Sequence, residues 1–222
     1  MAKNTAGFPS LKAENSKAIW LLVSADMIAI ALVLTGFVFT QASLSELVQS
    51  TFVRGLFFAA IGSLVAVFLN DLLPSNAKDS IVFWRLKYTL PGHRAFSEYA
   101  ESDPRIDLAD LKQKIGEFPQ SPRDQNSYWY RLFQKNQSNV IIIDSHKRFL
   151  LFRDSSSLTL LILAIAWIAS ALARAPFSLQ ATIVVGLMVQ FLWLATSARN
   201  TGIRLVQNVL ALEASDDGGE KK

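Results

Sequence analysis

The sequence predicts an all-α integral membrane protein, in which two transmembrane hairpins flank a mostly helical cytoplasmic insert. Four apolar runs predict the four spans: 18–39, 52–73, 157–173 and 178–198. Each run is near the roughly 20 residues that cross the hydrocarbon core of a bilayer. Only 18% of the 222 residues are charged, whereas soluble domains carry about 25%. The runs themselves hold just three ionisable residues, Asp26, Arg54 and Asp71.

This segregation of charge predicts five segments along the chain. A cytoplasmic N-terminal segment covers residues 1–17, and the first transmembrane hairpin covers 18–73. The polar and aromatic-rich residues 74–154 form a cytoplasmic helical domain, which is followed by the second hairpin at 155–198. Residues 199–222 are expected to form a cytoplasmic amphipathic helix and a disordered tail.

The distribution of Lys and Arg predicts the orientation in the membrane. The N-terminal segment, the insert and the tail carry 20 of these residues, whereas only 2, Arg54 and Arg174, lie in or near the two short connections on the opposite side. Because positively charged loops stay in the cytoplasm, both termini and the insert are expected inside the cell.

Polar residues inside the apolar runs are candidates for function or for helix contacts. Asp26 and Gln190 lie within the first and fourth runs, and Asn70 and Asp71 lie near the inner end of the second. An ionisable group in the hydrocarbon region costs at least ~2.5 kcal/mol unless it is paired or faces water. Asp26 is therefore either a pore-lining carboxylate or a structural acid that binds a neighbouring helix.

Small residues on the second run predict a helix-packing face. Gly55, Ala59 and Gly62 recur at helical intervals, which lets helix backbones approach closely in lipid. The contact could lie within one protomer or between protomers of a homo-oligomer.

Basic and aromatic residues are interleaved where the insert begins. Arg85, Lys87, His93 and Arg94 lie among Trp, Phe and Tyr residues, and Pro91–Gly92 is a turn signal. Such a mixture is typical of an anchor at the membrane–water boundary. The alternative is a pocket for anionic lipid or for a small anionic ligand.

Two amphipathic helices are predicted in the middle of the insert. Apolar residues recur at helical intervals over 106–115, with Gly116 as the stop. Ser121 and Pro122 predict the start of the next helix. That helix holds the candidate partner-binding aromatics Tyr128, Trp129, Tyr130 and Phe133, and the alternative is that these residues form a core.

Residues 140–153 are assigned to a helix that leads into the third span, although a short apolar run does not exclude a strand. Ser155, Ser156 and Ser157 are expected to restart the helix as caps.

No signature of catalysis, cofactor binding or metal binding is found. The chain has no cysteine, its two histidines are far apart, and no phosphate-binding glycine loop is present. The insert has 13 basic and 10 acidic residues, so nucleic acid is not an expected partner. Expected partners are the lipid bilayer, further copies of the chain, and a cytoplasmic protein or small anionic ligand.

The predicted topology has two spans, then a cytoplasmic module, then two more spans. In this topology the chain resembles small prokaryotic membrane effectors of anti-phage defence. The resemblance implies an oligomer whose cytoplasmic domain receives a signal and alters the membrane bundle, as a channel-like or membrane-perturbing effector. One alternative is a membrane scaffold that recruits a cytoplasmic partner. The other is a lipid-handling membrane enzyme.

Overall fold

The computed structural model describes residues 11–38, 61–172 except 63 and 66, and 174–215. These residues form α-helices, short helical turns and connecting loops, and no β-strand occurs among them. The predicted all-α class is therefore confirmed.

The helices are numbered in chain order. They are α1 (Leu11–Val38), the helical residues within 61–72 (α2), α3 (Ser75–Phe83), α4 (Ala100–Ser102), α5 (Leu108–Ile115), α6 (Pro122–Asn136), α7 (Val140–Leu172) and α8 (Phe177–Ser215). Pro91–Gly92, predicted as a turn, opens a 3₁₀ turn (Pro91–Arg94) that runs into a π-helical turn (Ala95–Tyr99).

The two amphipathic helices predicted in the insert are present, with the predicted stop at Gly116 and the predicted cap at Ser121, and the N-cap of the first is Asp107. The Asp107 carboxylate accepts hydrogen bonds from the backbone N–H groups of Ala109 and Asp110, which start α5. Gly116 ends this helix with φ 80°, a conformation that glycine adopts without steric cost. The Ser121 hydroxyl accepts from the Asp124 N–H at 3.1 Å and caps α6.

Helix α7 runs without a break from Val140 to Leu172, so the helix predicted for 140–153 is confirmed. The expected restart at the three serines is wrong. The hydroxyls of Ser156 and Ser157 donate to the Arg153 carbonyl at 2.9 and 3.0 Å. A serine inside a helix satisfies its hydroxyl in this way by bonding one turn back, and it then needs no new N-terminus.

The chain divides into two compact units, to which α7 and α8 both contribute. The first unit comprises Met1–Lys78 and Leu151–Ala195, and the second comprises Asp79–Leu150 and Thr196–Lys222. The core of the first unit is apolar and comes from α1, α7 and α8: Ile19, Val23, Met27, Leu158, Ile162, Ala166, Ile183 and Leu187.

The second unit is a helical domain whose core includes the end of α8. The apolar stripe predicted in the tail is buried there, through Leu205, Val206, Val209 and Leu210. These residues pack in one cluster with side chains of α5, α6 and the start of α7. The stripe is thus part of the domain core.

Two described helices, Val140–Leu172 and Phe177–Ser215, are long and apolar enough to cross a membrane. Four spans are predicted from the sequence, so these two helices support the membrane assignment only in part. Part of the second predicted span, 52–60, lies outside the described residues.

Candidate functional site

The first unit exposes large apolar side chains and, beside its apolar core, buries several polar ones. Leu21, Phe68 and Trp193 are 74%, 65% and 67% exposed, whereas Asp26 and Asn70 are only 7% and 4% exposed. In water this arrangement would leave apolar surface unburied while it desolvates polar groups. In a bilayer both features are favourable, because lipid solvates the apolar exterior and polar groups find partners inside the bundle.

A polar centre built on Asp26 lies inside this unit. The Gln190 side-chain Nε2 donates to both carboxylate oxygens of Asp26, at 3.0 and 2.9 Å. The same nitrogen lies 3.3 Å from the Thr159 hydroxyl oxygen. The centre therefore connects α1, α7 and α8, and one amide group with two N–H bonds faces three acceptor oxygens.

The hydrogen bonds to the Asp26 carboxylate come from a neutral amide. Neither 158–172 of α7 nor 177–198 of α8 contains an ionisable residue. A carboxylate held inside an apolar bundle without a cation is costly. Residues of this kind mark ion pathways and functional sites in membrane proteins.

Both Asp26 and Gln190 are candidates from the sequence, but their pairing and the part of Thr159 are not. The two residues are separated by 164 positions, and nothing in local spacing predicts such a contact. Thr159 lies in an apolar run where a hydroxyl usually bonds its own helix.

The other polar candidates of the spans lie on α2. The Asn70 side chain is buried, and its Oδ1 has no hydrogen-bond partner among the described residues. Asp71 is exposed and does have a partner. Gly62 lies against α1, where an added Cβ would stand 3.2 Å from the Met27 sulfur. Gly55 and Ala59, the rest of the predicted packing face, lie outside the described residues.

Sequence reasoning also misses a cluster of charges in the first unit. The Lys78 ammonium lies 3.6 Å from the Asp154 carboxylate, and the two side chains are 5% and 3% exposed. Arg153 Nη2 approaches the same carboxylate at 2.9 Å. In the sequence, Lys78 and Arg153 are two of the 20 basic residues whose distribution predicts the orientation. Lys78 and Asp154 are buried and Arg153 is partly buried beside them, so the three form a structural ion cluster.

The four basic candidates in the second unit separate into two kinds. Arg85 and Lys87 are exposed. His93 donates from Nδ1 to the Pro122 carbonyl at 2.9 Å, and its ring lies 5.1 Å from that of Tyr88. His93 therefore fastens the start of α6 to the preceding segment.

Arg94 is used within the fold as well. Its Nη2 donates to the Tyr99 hydroxyl at 3.0 Å, its Nε lies 3.0 Å from the Glu98 carboxylate, and its guanidinium lies over the Tyr99 ring. The structure thus does not form the single pocket that the sequence allows from Arg85, Lys87, His93 and Arg94, because the last two are bonded within the fold. Only the first two face solvent.

The aromatic side chains of α6 mostly build the domain. Trp129 is buried and packs on Gly92, where an added Cβ would stand 2.8 Å from the indole ring. Tyr128 donates to the Ile115 carbonyl at 3.3 Å. Phe133 stacks between the rings of Trp129 and Tyr130. Tyr130 is 50% exposed, so it is the member of the four that a partner could contact most readily.

No group of three metal-ligating side chains occurs in the part of the chain that the structure describes. Comparisons with protein families, with curated proteins and with solved structures give no match for this chain. The structure and the sequence therefore carry the functional argument alone.

Proposed function

We propose that the chain is an integral protein of the bacterial cytoplasmic membrane, with the first unit in the bilayer as four spans in two hairpins. Both termini and the helical domain face the cytoplasm. Supporting this are the exposed apolar side chains and the buried polar side chains of the first unit, the two helices of spanning length, and the bias of Lys and Arg.

We further propose that the bundle acts as a channel-like or membrane-perturbing effector and works as a homo-oligomer. The carrying observation is the Asp26–Gln190–Thr159 centre, which joins three helices through a carboxylate that a neutral amide holds. A bundle joined through such a polar contact can repack when a signal reaches the helical domain. A carboxylate that becomes accessible to water would then attract cations.

Planar-bilayer recordings of the purified full chain test this proposal. We expect conductance that prefers cations, and Asp26→Asn should reduce that preference because it removes the negative charge. Gln190→Leu should alter opening because it frees the carboxylate from α8.

The matched control is Gln180→Leu on the same helix. The Gln180 amide donates to the Ala175 carbonyl at 2.8 Å, a bond outside the polar centre, so this variant should conduct as the unmodified protein does. Absence of conductance at every protein density would reject the channel-like function. Equal effects of the two Leu variants would reject the role of the centre.

A further inference from the structure

The loop after α3 exposes three large apolar side chains that alternate with two basic ones. Trp84, Leu86 and Tyr88 are 62%, 94% and 50% exposed. Arg85 and Lys87 lie between them and are exposed too. No Asp or Glu occurs from residue 80 to 97, so the loop carries uncompensated positive charge beside its apolar groups.

Trp84 takes a backbone conformation that favours glycine. Its φ is 52°, and its N–H donates to the Ser80 carbonyl at 2.9 Å, which ends α3. Glycine is the usual residue at such a helix end, because a side chain is strained there. Tyr88 has φ 50° as well. Large aromatic residues at strained and exposed positions suggest a use outside the fold.

Arg199 adds a third positive charge to this surface. Its Nε donates to the Val82 carbonyl in the last turn of α3, and its guanidinium lies 3.6 Å above the Trp84 ring. Its Nη2 is buried, and no acceptor for it occurs among the residues that the structure describes. The charge of this guanidinium is not balanced by a bonded carboxylate among those residues, so it adds to the attraction of this surface for an anionic group.

We propose that Trp84, Arg85, Leu86 and Lys87 with Arg199 form a binding site for the headgroup of an anionic phospholipid. The phosphate would accept from the exposed Arg85 and Lys87 side chains, and the Arg199 guanidinium against the Trp84 ring would add a third positive charge to the site. Trp84 and Leu86 would enter the boundary between headgroups and acyl chains, where tryptophan is preferred.

Two observations favour a lipid over a free phosphate or an acidic protein. The exposed apolar groups gain nothing from a free ion, whereas a bilayer buries them. Arg199 also directly follows the predicted fourth span, 178–198, in the continuous helix α8. The inference rests on the proposed membrane location.

The test uses the full chain in nanodiscs and exploits the absence of native cysteine. A bimane fluorophore on Leu86→Cys should shift to the blue, and a lipid spin-labelled near its headgroup should quench it. Both effects should be stronger with phosphatidylglycerol present than in pure phosphatidylcholine. The same fluorophore on Gln134→Cys, an exposed position on α6, should show neither effect.

Charge removal then tests recognition of the headgroup. In Arg85→Gln/Lys87→Gln, the phosphatidylglycerol fraction needed for half-maximal quenching should rise roughly fivefold for each charge removed. Arg123→Gln/Arg131→Gln removes two exposed charges from α6 and should leave that fraction unchanged. Equal effects of the two double variants would overturn the site in favour of general charge attraction.

Trp84→Gly separates binding from folding. Glycine relieves the strained backbone, so the thermal midpoint should stay the same or rise, while the response to phosphatidylglycerol weakens. An unchanged response would overturn the role of Trp84. Loss of the response upon addition of inorganic phosphate would assign the site to the free ion instead. If the fluorophore on Leu86→Cys reports an aqueous environment in a correctly inserted protein, only this site is rejected. If the chain fails to enter nanodiscs, the membrane location itself is rejected.

Discussion

Replacement of Gln190 by Leu is expected to destabilise the first unit, because it leaves the buried Asp26 carboxylate without its hydrogen-bond donor. The amide supplies the two hydrogen bonds to the Asp26 carboxylate, at 3.0 and 2.9 Å, and Asp26 is 7% exposed. A hydrogen bond to a charged group contributes about 1.5–3 kcal/mol in soluble proteins. Bonds between helices in membranes average ~0.6 kcal/mol. We expect about 1.5 kcal/mol, because the buried carboxylate loses its donor.

The double variant Asp26→Leu/Gln190→Leu is expected to be more stable than Gln190→Leu alone. Replacement of both polar partners by apolar groups removes the desolvation penalty together with the hydrogen bonds, and such exchanges are often neutral or stabilising. Leucine is branched at the same carbon as aspartate, so it suits the site in shape. Gln180→Leu, whose amide binds the Ala175 carbonyl outside the centre, controls for the added apolar surface.

Reversible unfolding in mixed micelles, followed by tryptophan fluorescence, measures the free energy of unfolding of all four proteins. We expect the double variant to recover at least half of the free energy of unfolding that Gln190→Leu loses. A double variant as unstable as Gln190→Leu would refute this expectation, and so would an equal loss in Gln180→Leu.

Two further predictions concern the second unit. Gly92→Ala should lower the free energy of unfolding by about 1–3 kcal/mol, because its Cβ would stand 2.8 Å from the Trp129 ring. Thermal melts measure this loss. They should show no comparable loss for Gly186→Ala, because an added Cβ there meets nothing within 4 Å. The hydrogen bond from the Arg105 side chain lowers the pKa of Asp103 below 3.8. The carboxylate therefore stabilises the fold above that pH, and the advantage over Asp103→Asn should disappear as the pH falls through the lowered pKa; a constant advantage in unfolding midpoints at all pH values would contradict this.

Local sequence signals predict the helices of the insert well. Ser121 and Pro122 define the start of α6, and Gly116 the end of α5, because capping depends on residues within one turn. The helix restart predicted at serines 155–157 is wrong, because a serine hydroxyl can either cap a new helix or bond a carbonyl one turn back within a continuous helix. Only the context of a continuous apolar helix decides between the two.

Long-range contacts are what the sequence leaves open. Asp26 can be selected as an unusual residue, but its partner lies 164 positions away. Arg94 and Arg85 look equivalent in the sequence, yet one is bonded within the fold and the other is exposed. The role of Arg199 at Trp84 depends likewise on tertiary packing. Exposure and pairing follow from the whole fold, so spacing along the chain does not reveal them.

Reactivity of single cysteines in native membranes tests the bilayer location of the first unit most directly. Trp193 and Val140 are 67% and 78% exposed, so cysteines at the two positions would react at similar rates in water. In inverted membrane vesicles, a water-soluble maleimide should label Val140→Cys rapidly and leave Trp193→Cys unlabelled until detergent denatures the protein. Equal labelling of both cysteines before detergent is added would contradict the account.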